Sequence, residues 1–328
     1  MLYPLKFKTI YKEKIWGGDK VKRLLNKDFS PLKNCGETWE ISAIEPDCSI
    51  VSNGFLAGNS LAELVEIYMG DLVGESVFDA FGLEFPLLIK FIDAKDDLSV
   101  QVHPDDILAD KLHHANGKTE MWYVIDAEKD AKLNIGFNSP VTRPILEKAI
   151  EKGNLEQLLN FVSVQTDDVA FIPAGKVHAI GKGILLAEIQ QSSDLTYRLY
   201  DYNRKDEHGK QRDLHLKQAF EAIHYDDANN ELLSSPFKKN TTTHLVETPY
   251  FVCNRLIFDQ PVEKIYEAID SFVIYICLDG TISVQSDAGE ETLTKGECLL
   301  IPASMDSITL NPHALSKLLE VYVPWGGY

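Results

Sequence analysis

Two histidines, a glutamate and a glutamine are the residues of this chain whose types and spacing could do chemistry together. Gln101 and His103 stand two apart in the segment 98–103 (LSVQVH), where polar and apolar side chains alternate. Period-two alternation predicts a strand with Ser99, Gln101 and His103 on one face and Val100 and Val102 on the other. Glu120 opens a later strand-like run, and His178 follows the turn Pro173-Ala174-Gly175. Two imidazoles, a carboxylate and an amide oxygen form a borderline-soft donor set suited to zinc. The chain has nine histidines, so spacing alone leaves a metal site and a chance pairing both open.

These residues need strands to hold them. The segments 86–92 (PLLIKFI), 120–125, 185–190 and 196–200 read as strands, the first with a lone charge at Lys90. Lys90 either snorkels to the surface or points into the site. Helical spacing marks 60–80, 139–160 and 213–224, and 105–118 reads as a polar connection with helical character. Asp105 and Asp106 are placed to cap a helix start. Residues 226–243 read as a linker or long surface loop, and 244–324 as short strands, with turns at Asp279-Gly280 (a hairpin signal) and Asp287-Ala288-Gly289. The predicted class is all-β dominated, with short helical segments: a many-stranded antiparallel barrel or sandwich fits both halves, a catalytic unit over 1–240 and a second, metal-free unit over 241–328. A repeated element supports this. Pro173, Gly175 and His178 are matched in spacing by Pro302, Ser304 and Ser307, as if one strand–turn unit were used once with a ligand and once without.

Composition bounds the partners. A net charge of −18 argues against nucleic acid and anionic membranes, and requires a local cluster of Lys and Arg for any anionic substrate. Five scattered cysteines (35, 48, 253, 277, 298) support neither a disulfide framework nor an all-cysteine zinc site. No apolar run is long enough to span a bilayer, and the first residues lack the apolar core of a signal peptide. A cytoplasmic protein is expected. No glycine-rich phosphate loop or dinucleotide fingerprint is present. Trp16, Trp39 and Trp122 read as core or pocket wall. His113 and His114 read as solvent-facing, and His208, His215, His224, His244 and His313 as surface or structural.

The prolyl element at 171–183 (FIPAGKVHAIGKG) resembles the second signature of the cupin superfamily, and QVHPDD at 101–106 its first signature, with Gln101 in place of the leading histidine. With WGG at 16–18, GETWEIS at 36–42, GKTEMWYV at 117–124 and TYRLYDYNR at 196–204, the chain resembles the type I phosphomannose isomerases, most of all their short bacterial form. That resemblance implies two cupin-like jelly-roll β-barrels, and one zinc per chain on Gln101, His103, Glu120 and His178. It places Arg198 beside the reacting carbons, Lys118 at the substrate end of the pocket, and Ser99 in its lining. It also implies a sugar-phosphate substrate, handled by a monomer or weak homo-oligomer. The large helical insertion of longer members does not fit this length, and 139–160 stands as its reduced version.

An aldose–ketose isomerisation needs a base. Glu188, a metal-activated water and Asp201 are the alternatives, and sequence order does not rank them. Phosphate recognition falls to Lys118 and Arg198, with Ser99 and Lys90 as further donors. Two rival readings remain at this stage: another cupin enzyme, such as a metal-dependent dioxygenase or epimerase, and a non-catalytic carbohydrate-binding protein. In the second, the ligand set would be broken; here all four positions are filled.

Overall fold

Residues 1–205, 209–227, 230–234 and 236–324 are described in a computed structural model. His208 and three positions of the 226–243 stretch fall outside them.

The described residues build four antiparallel sheets. A six-stranded sheet runs in the order Ile10–Lys12, Glu37–Ile41, Leu87–Ala94, Ile184–Gln191, Glu120–Ala127 and Val169–Ile172. A five-stranded sheet faces it: Tyr197–Tyr200, Val100–Val102, His178–Ile180, Lys132–Phe137 and Leu159–Ser163. Trp122, Ile172 and Leu186 of the first pack against Leu133, Ile135 and Ile180 of the second. The C-terminal part repeats the plan. A sheet ordered Thr241–Glu247, Val252–Phe258, Ser316–Tyr322, Val273–Asp279 and Cys298–Ile301 faces one ordered Val262–Ile265, Ser307–Pro312, Thr281–Ser286 and Gly289–Thr294. The two-unit jelly-roll architecture is therefore present, with one correction. The hydrogen-bonded ladders stay open as facing sheets and do not close into barrels, so each unit has two ends where loops meet the interior.

The two units pack back to back through their larger sheets. Ile89, Phe91, Leu185, Ala187 and Ile189 share one core with Cys253, Ile274, Ile276, Leu319 and Val321. Strands Leu87–Ala94 and Ile184–Gln191 are consequently buried on both faces, which explains their near-continuous apolar sequence. The other face of Val100–Val102 is covered by the helices Arg143–Glu151 and Leu216–Ala222, through Leu146, Ala219 and Ala222.

The helical spacing at 60–80 resolves into three short helices, Leu61–Tyr68, Gly70–Val73 and Glu75–Phe81. Ser60 and Glu63 close a capping box at the first. The polar connection after His103 contains the helix Asp106–His113, whose cap is Asp105 alone, accepting from Leu108 N. The Asp279-Gly280 hairpin does not form. Val273–Asp279 and Thr281–Ser286 lie in different sheets, so this turn carries the chain across the unit. Ser286 pairs with Gly289, so the second turn signal is a true two-residue hairpin. All five cysteines are free thiols.

Candidate active site and metal centre

Strand register brings the predicted donors together. Gln101 pairs with His178 on one side and with Arg198 on the other. These three side chains form a row across the smaller sheet. On the facing sheet Glu120 pairs with Gln190, and Glu188 pairs with both Lys90 and Trp122. His103 follows directly after its strand.

His103, Glu120 and His178 are fully buried, with one ligand atom from each lying within 4.8 Å of the others. His103 Nε2 is 3.5 Å from Glu120 Oε2, and His178 Nε2 is 3.5 Å from Glu120 Oε1. The other ring nitrogens are engaged by carbonyls: His103 Nδ1 with Leu195 O at 2.7 Å and His178 Nδ1 with Lys176 O at 2.8 Å. A carbonyl only accepts, so each Nδ1 carries the proton and each Nε2 keeps its lone pair turned toward the carboxylate. Burial drives both imidazoles toward the neutral form, His178 to about 3 and His103 well below its ordinary value. Neutral imidazole is the form that ligates a metal. His103 Nε2 and Glu120 Oε1 are buried and have no hydrogen-bond partner. Leaving such atoms unmatched costs about 1–3 kcal/mol each, and a divalent cation at their meeting point would satisfy both. The donor set fits a metal.

Gln101 borders the cluster. Its Nε2 is 3.3 Å from His178 Nε2, and its Oε1 accepts from Ser99 Oγ at 3.4 Å. Lys118 Nζ lies 3.0 Å from Glu120 Oε2. Gln101 and Lys118 both line a cavity of about 370 Å³ that opens beside the cluster. Ser99, Lys90, Glu188 and Arg198 line it too, so these six residues singled out in the sequence meet beside the buried cluster, while Asp201 does not join them. Five cations (Lys14, Lys90, Lys118, Arg198, Arg212) face three carboxylates (Glu37, Glu188, Asp194) in this lining. The acidic chain thus holds a locally basic pocket.

The sequence left Lys90 undecided between surface and site. The structure buries it in the wall, with Nζ 3.2 Å from Glu188 Oε1 and over the Trp39 ring. Trp122 Nε1 donates to Glu188 Oε2 at 2.9 Å. Burial pushes the Glu188 carboxyl up, but Lys90, Lys118 and this hydrogen bond outweigh it and leave the group below its ordinary value. Burial and then the neighbouring Glu188 charge push Glu120 to about 7. Asp201 stands apart from the cavity lining. Its carboxylate is taken up by Arg204 and by Arg212, whose Nε lies 2.7 Å away, which leaves it no freedom to act as a base.

Several lining residues had no role in the sequence reading. Lys14 pairs with Glu37 at 2.9 Å, and Glu37 also accepts from Trp39 Nε1. Period two in GETWEIS put Glu37 and Trp39 on one face, so that signal was available. His113 is exposed, as expected, and His215 is half-buried, and each also has a place at the site. Both line the cavity, His113 Nε2 lies 2.7 Å from Tyr197 OH, and His215 Nδ1 accepts from Arg198 N at 3.2 Å. Their ring contacts form only in the folded chain, with no local pattern to announce them.

Known proteins resemble this chain in sequence and fold. Residues 4–135 match the type I phosphomannose isomerase catalytic domain, and residues 241–316 match the mannose-6-phosphate isomerase cupin domain. The chain is 38% identical to a mannose-6-phosphate isomerase of Bacillus subtilis, over 95% of this chain and 96% of the relative. It is 36% identical to the mannose-6-phosphate isomerase of Streptococcus mutans, over 94% and 95% of the two chains. The crystal structure of a Bacillus subtilis mannose 6-phosphate isomerase superposes with a TM-score of 0.86 at 32% identity, covering 97% of this chain and 99% of that one.

Proposed function

The chain belongs to the type I phosphomannose isomerases, and from that premise we propose a zinc-dependent aldose–ketose isomerase that interconverts D-mannose 6-phosphate and D-fructose 6-phosphate through a cis-enediol. The observation that carries the reading is the convergence of two lone-pair imidazole nitrogens on the Glu120 carboxylate, beside a basic cavity that holds Arg198 and Glu188.

The reaction moves a proton between the first two sugar carbons, and its barrier lies in the negative charge that builds on the sugar oxygens. One zinc per chain, held by Gln101, His103, Glu120 and His178, would supply Lewis acidity to those oxygens. A half-turn of the Gln101 amide presents Oε1 where Nε2 now faces His178. Arg198, next to Gln101 across the ladder, adds fixed charge and oriented donors for the developing oxyanion. Glu188 is the proton-transferring base: it is buried in the wall and held ionised by Lys90 and Lys118. Ser99, Lys118 and Lys90 provide charge-assisted hydrogen bonds for the phosphate.

Catalysis is assigned to residues 1–240 and a metal-free, bracing role to 241–328. The register supports this. Ile265 pairs with Ser307 where Gln101 pairs with His178, and Val273 pairs with Ile301 where Glu120 pairs with Ile172. At these three register positions the second unit carries Ile265, Ser307 and Val273 in place of Gln101, His178 and Glu120. We place the enzyme in the cytoplasm, because a doubly charged sugar phosphate does not cross a bilayer unaided, and take it as a monomer or weak homo-oligomer from the family resemblance alone.

A coupled assay of mannose 6-phosphate to fructose 6-phosphate, with metal analysis before and after chelation, tests the proposal. Activity should vanish with the metal and return with Zn²⁺. Full activity in metal-free protein would overturn the zinc reading. Transfer through an enediol also predicts deuterium uptake at carbon from D₂O.

A further inference from the structure

The metal ligands sit on different strands, and one short segment ties those strands together. Gly117, Lys118 and Thr119 run just ahead of Glu120. Lys118 N donates to Pro104 O at 3.0 Å, next to His103. Ala174 N, in the turn that leads to His178, donates to Thr119 Oγ1 at 3.2 Å. Gly175 N in that turn donates to His103 O at 2.9 Å. Thr119 N donates to Gln191 Oε1 at 2.8 Å, and Gln191 N donates back to Thr119 O at 3.1 Å. The spacing of His103, Glu120 and His178 is therefore set through this strap.

The strap hangs on Asp106, which leaves the helix cap to Asp105. Asp106 Oδ1 accepts from Gly117 N at 2.8 Å and from Gln191 Nε2 at 3.0 Å. Its Oδ2 accepts from Tyr250 OH at 2.5 Å. Tyr250 comes from the metal-free unit, in the turn between Thr241–Glu247 and Val252–Phe258. There Thr248 Oγ1 accepts from Tyr250 N and Phe251 N, so the turn is itself fixed. A Cβ at Gly117 would lie 2.6 Å from the Asp105 carbonyl carbon, so the strap approaches the helix start as closely as a backbone can.

We propose that Tyr250 is a positioning residue for the metal centre: the second unit reaches across to clamp Asp106, and through Asp106 it holds Lys118 and Glu120 in register with His103 and His178. This rests on the reading of the cluster as a metal site. It also gives the metal-free unit a part in the chemistry of the other.

The test uses the zinc-loaded enzyme. Tyr250→Phe removes one hydroxyl and keeps the ring, which packs on the core shared by the two units. Misplacement of ~1 Å at a reacting centre costs about a hundredfold, so loss of one of the three donors on Asp106 should lower kcat roughly five- to tenfold with KM within about twofold. Zinc release to a chelating dye, a readout independent of turnover, should speed up by a similar factor. In an Asp106→Ala background, which leaves the hydroxyl no partner at that position, the same tyrosine substitution should change neither quantity further, because residues acting through one partner are non-additive. Zinc release and kcat within about 1.5-fold of wild type, or a Tyr250→Phe effect undiminished beside Asp106→Ala, would overturn the proposal by the same additivity argument. If Asp106→Ala does not fold, the single variant decides. A wild-type protein that takes up no zinc would instead sink the metal reading, and that is seen before any variant is made.

Discussion

Replacing Arg198 with alanine removes a guanidinium that the folded chain hardly uses. Its Nε is buried without a hydrogen-bond partner, and its pKa is lowered by burial and then by the like charge of Arg212. Both backbone bonds with His215 survive the substitution, as does the ladder to Gln101. The melting temperature should therefore hold or rise slightly, because the repulsion with Arg212 is relieved. The transition state loses a donor aimed at a developing oxyanion, about 3 kcal/mol, so kcat should fall roughly 150-fold. KM should stay within about threefold, since interactions made only in the transition state leave ground-state binding alone. Arg198→Lys keeps a charge but loses the planar fork, and should recover about tenfold of the loss. The coupled assay reads kcat and KM, calorimetry reads stability, and metal analysis reads zinc occupancy. A kcat within about twofold of wild type, far short of a donor-removal effect, refutes the role. So does a loss that tracks a matching drop in zinc content, because Arg198 would then act through the metal site and not on the substrate.

Glu188→Gln keeps an acceptor for Trp122 but cannot take a proton. Loss of a general base should lower kcat by roughly 10²–10⁴ and stop deuterium uptake at carbon, with zinc still bound. Glu37 is partly buried, which pushes its carboxyl up, yet Lys90, Lys14 and the Trp39 hydrogen bond outweigh this and hold it at about 2, below its ordinary value of 4.5. Its stabilisation is therefore complete above pH 4.5 and is lost as pH falls through the folded value. Urea titrations of wild type and Glu37→Gln should differ by about 3 kcal/mol more at pH 7 than at pH 2, and a gap independent of pH would refute that account. In the second unit Glu320 accepts from Tyr275 OH at 2.8 Å and Asn254 Nδ2 at 3.1 Å and pairs with Lys264 at 2.7 Å. Glu320→Ala strands that lysine and should cost about 3–5 kcal/mol of stability. Zinc content and kcat measured well below the melting temperature should not change, and a selective loss of kcat would contradict a bracing role for that network.

Local patterning revealed faces, and long-range pairing decided what those faces met. The shared face of Ser99, Gln101 and His103 was legible because Val100 and Val102 set a clear contrast on the other side. Lys90 was not legible. Its strand is buried on both faces, so apolar residues flank it either way and alternation cannot say which way the charge points. Asp279-Gly280 marks a turn correctly, with Gly280 at φ +90°. Whether that turn closes a hairpin or crosses between sheets depends on partners at 298–301 and 307–312. Asp201 looked free because its partners, Arg204 and Arg212, come from the following loop. The Leu195 and Lys176 carbonyls that fix the imidazole tautomers are backbone atoms, and no residue type announces them.

The repeated prolyl element carries the comparison furthest. After Pro173 and after Pro302 the chain closes the same turn, with Lys176 N donating to Pro173 O and Met305 N to Pro302 O. Both units also place a buried glutamate at one register position: Glu188 opposite Trp122, and Glu320 opposite Tyr275. What differs is the pairing around that carboxylate. Around Glu320 the tyrosine, asparagine and lysine complete it, so the interior is closed by its own hydrogen bonds. Around Glu188 and Glu120 lysines approach, yet buried polar atoms such as His103 Nε2 and Glu120 Oε1 are left without a hydrogen-bond partner. Natural interiors tolerate such atoms only where something else satisfies them. One scaffold, used twice, thus carries a carboxylate completed by its own partners in one copy and unmatched atoms beside a cavity in the other, which is what the proposed division into a brace and a site requires.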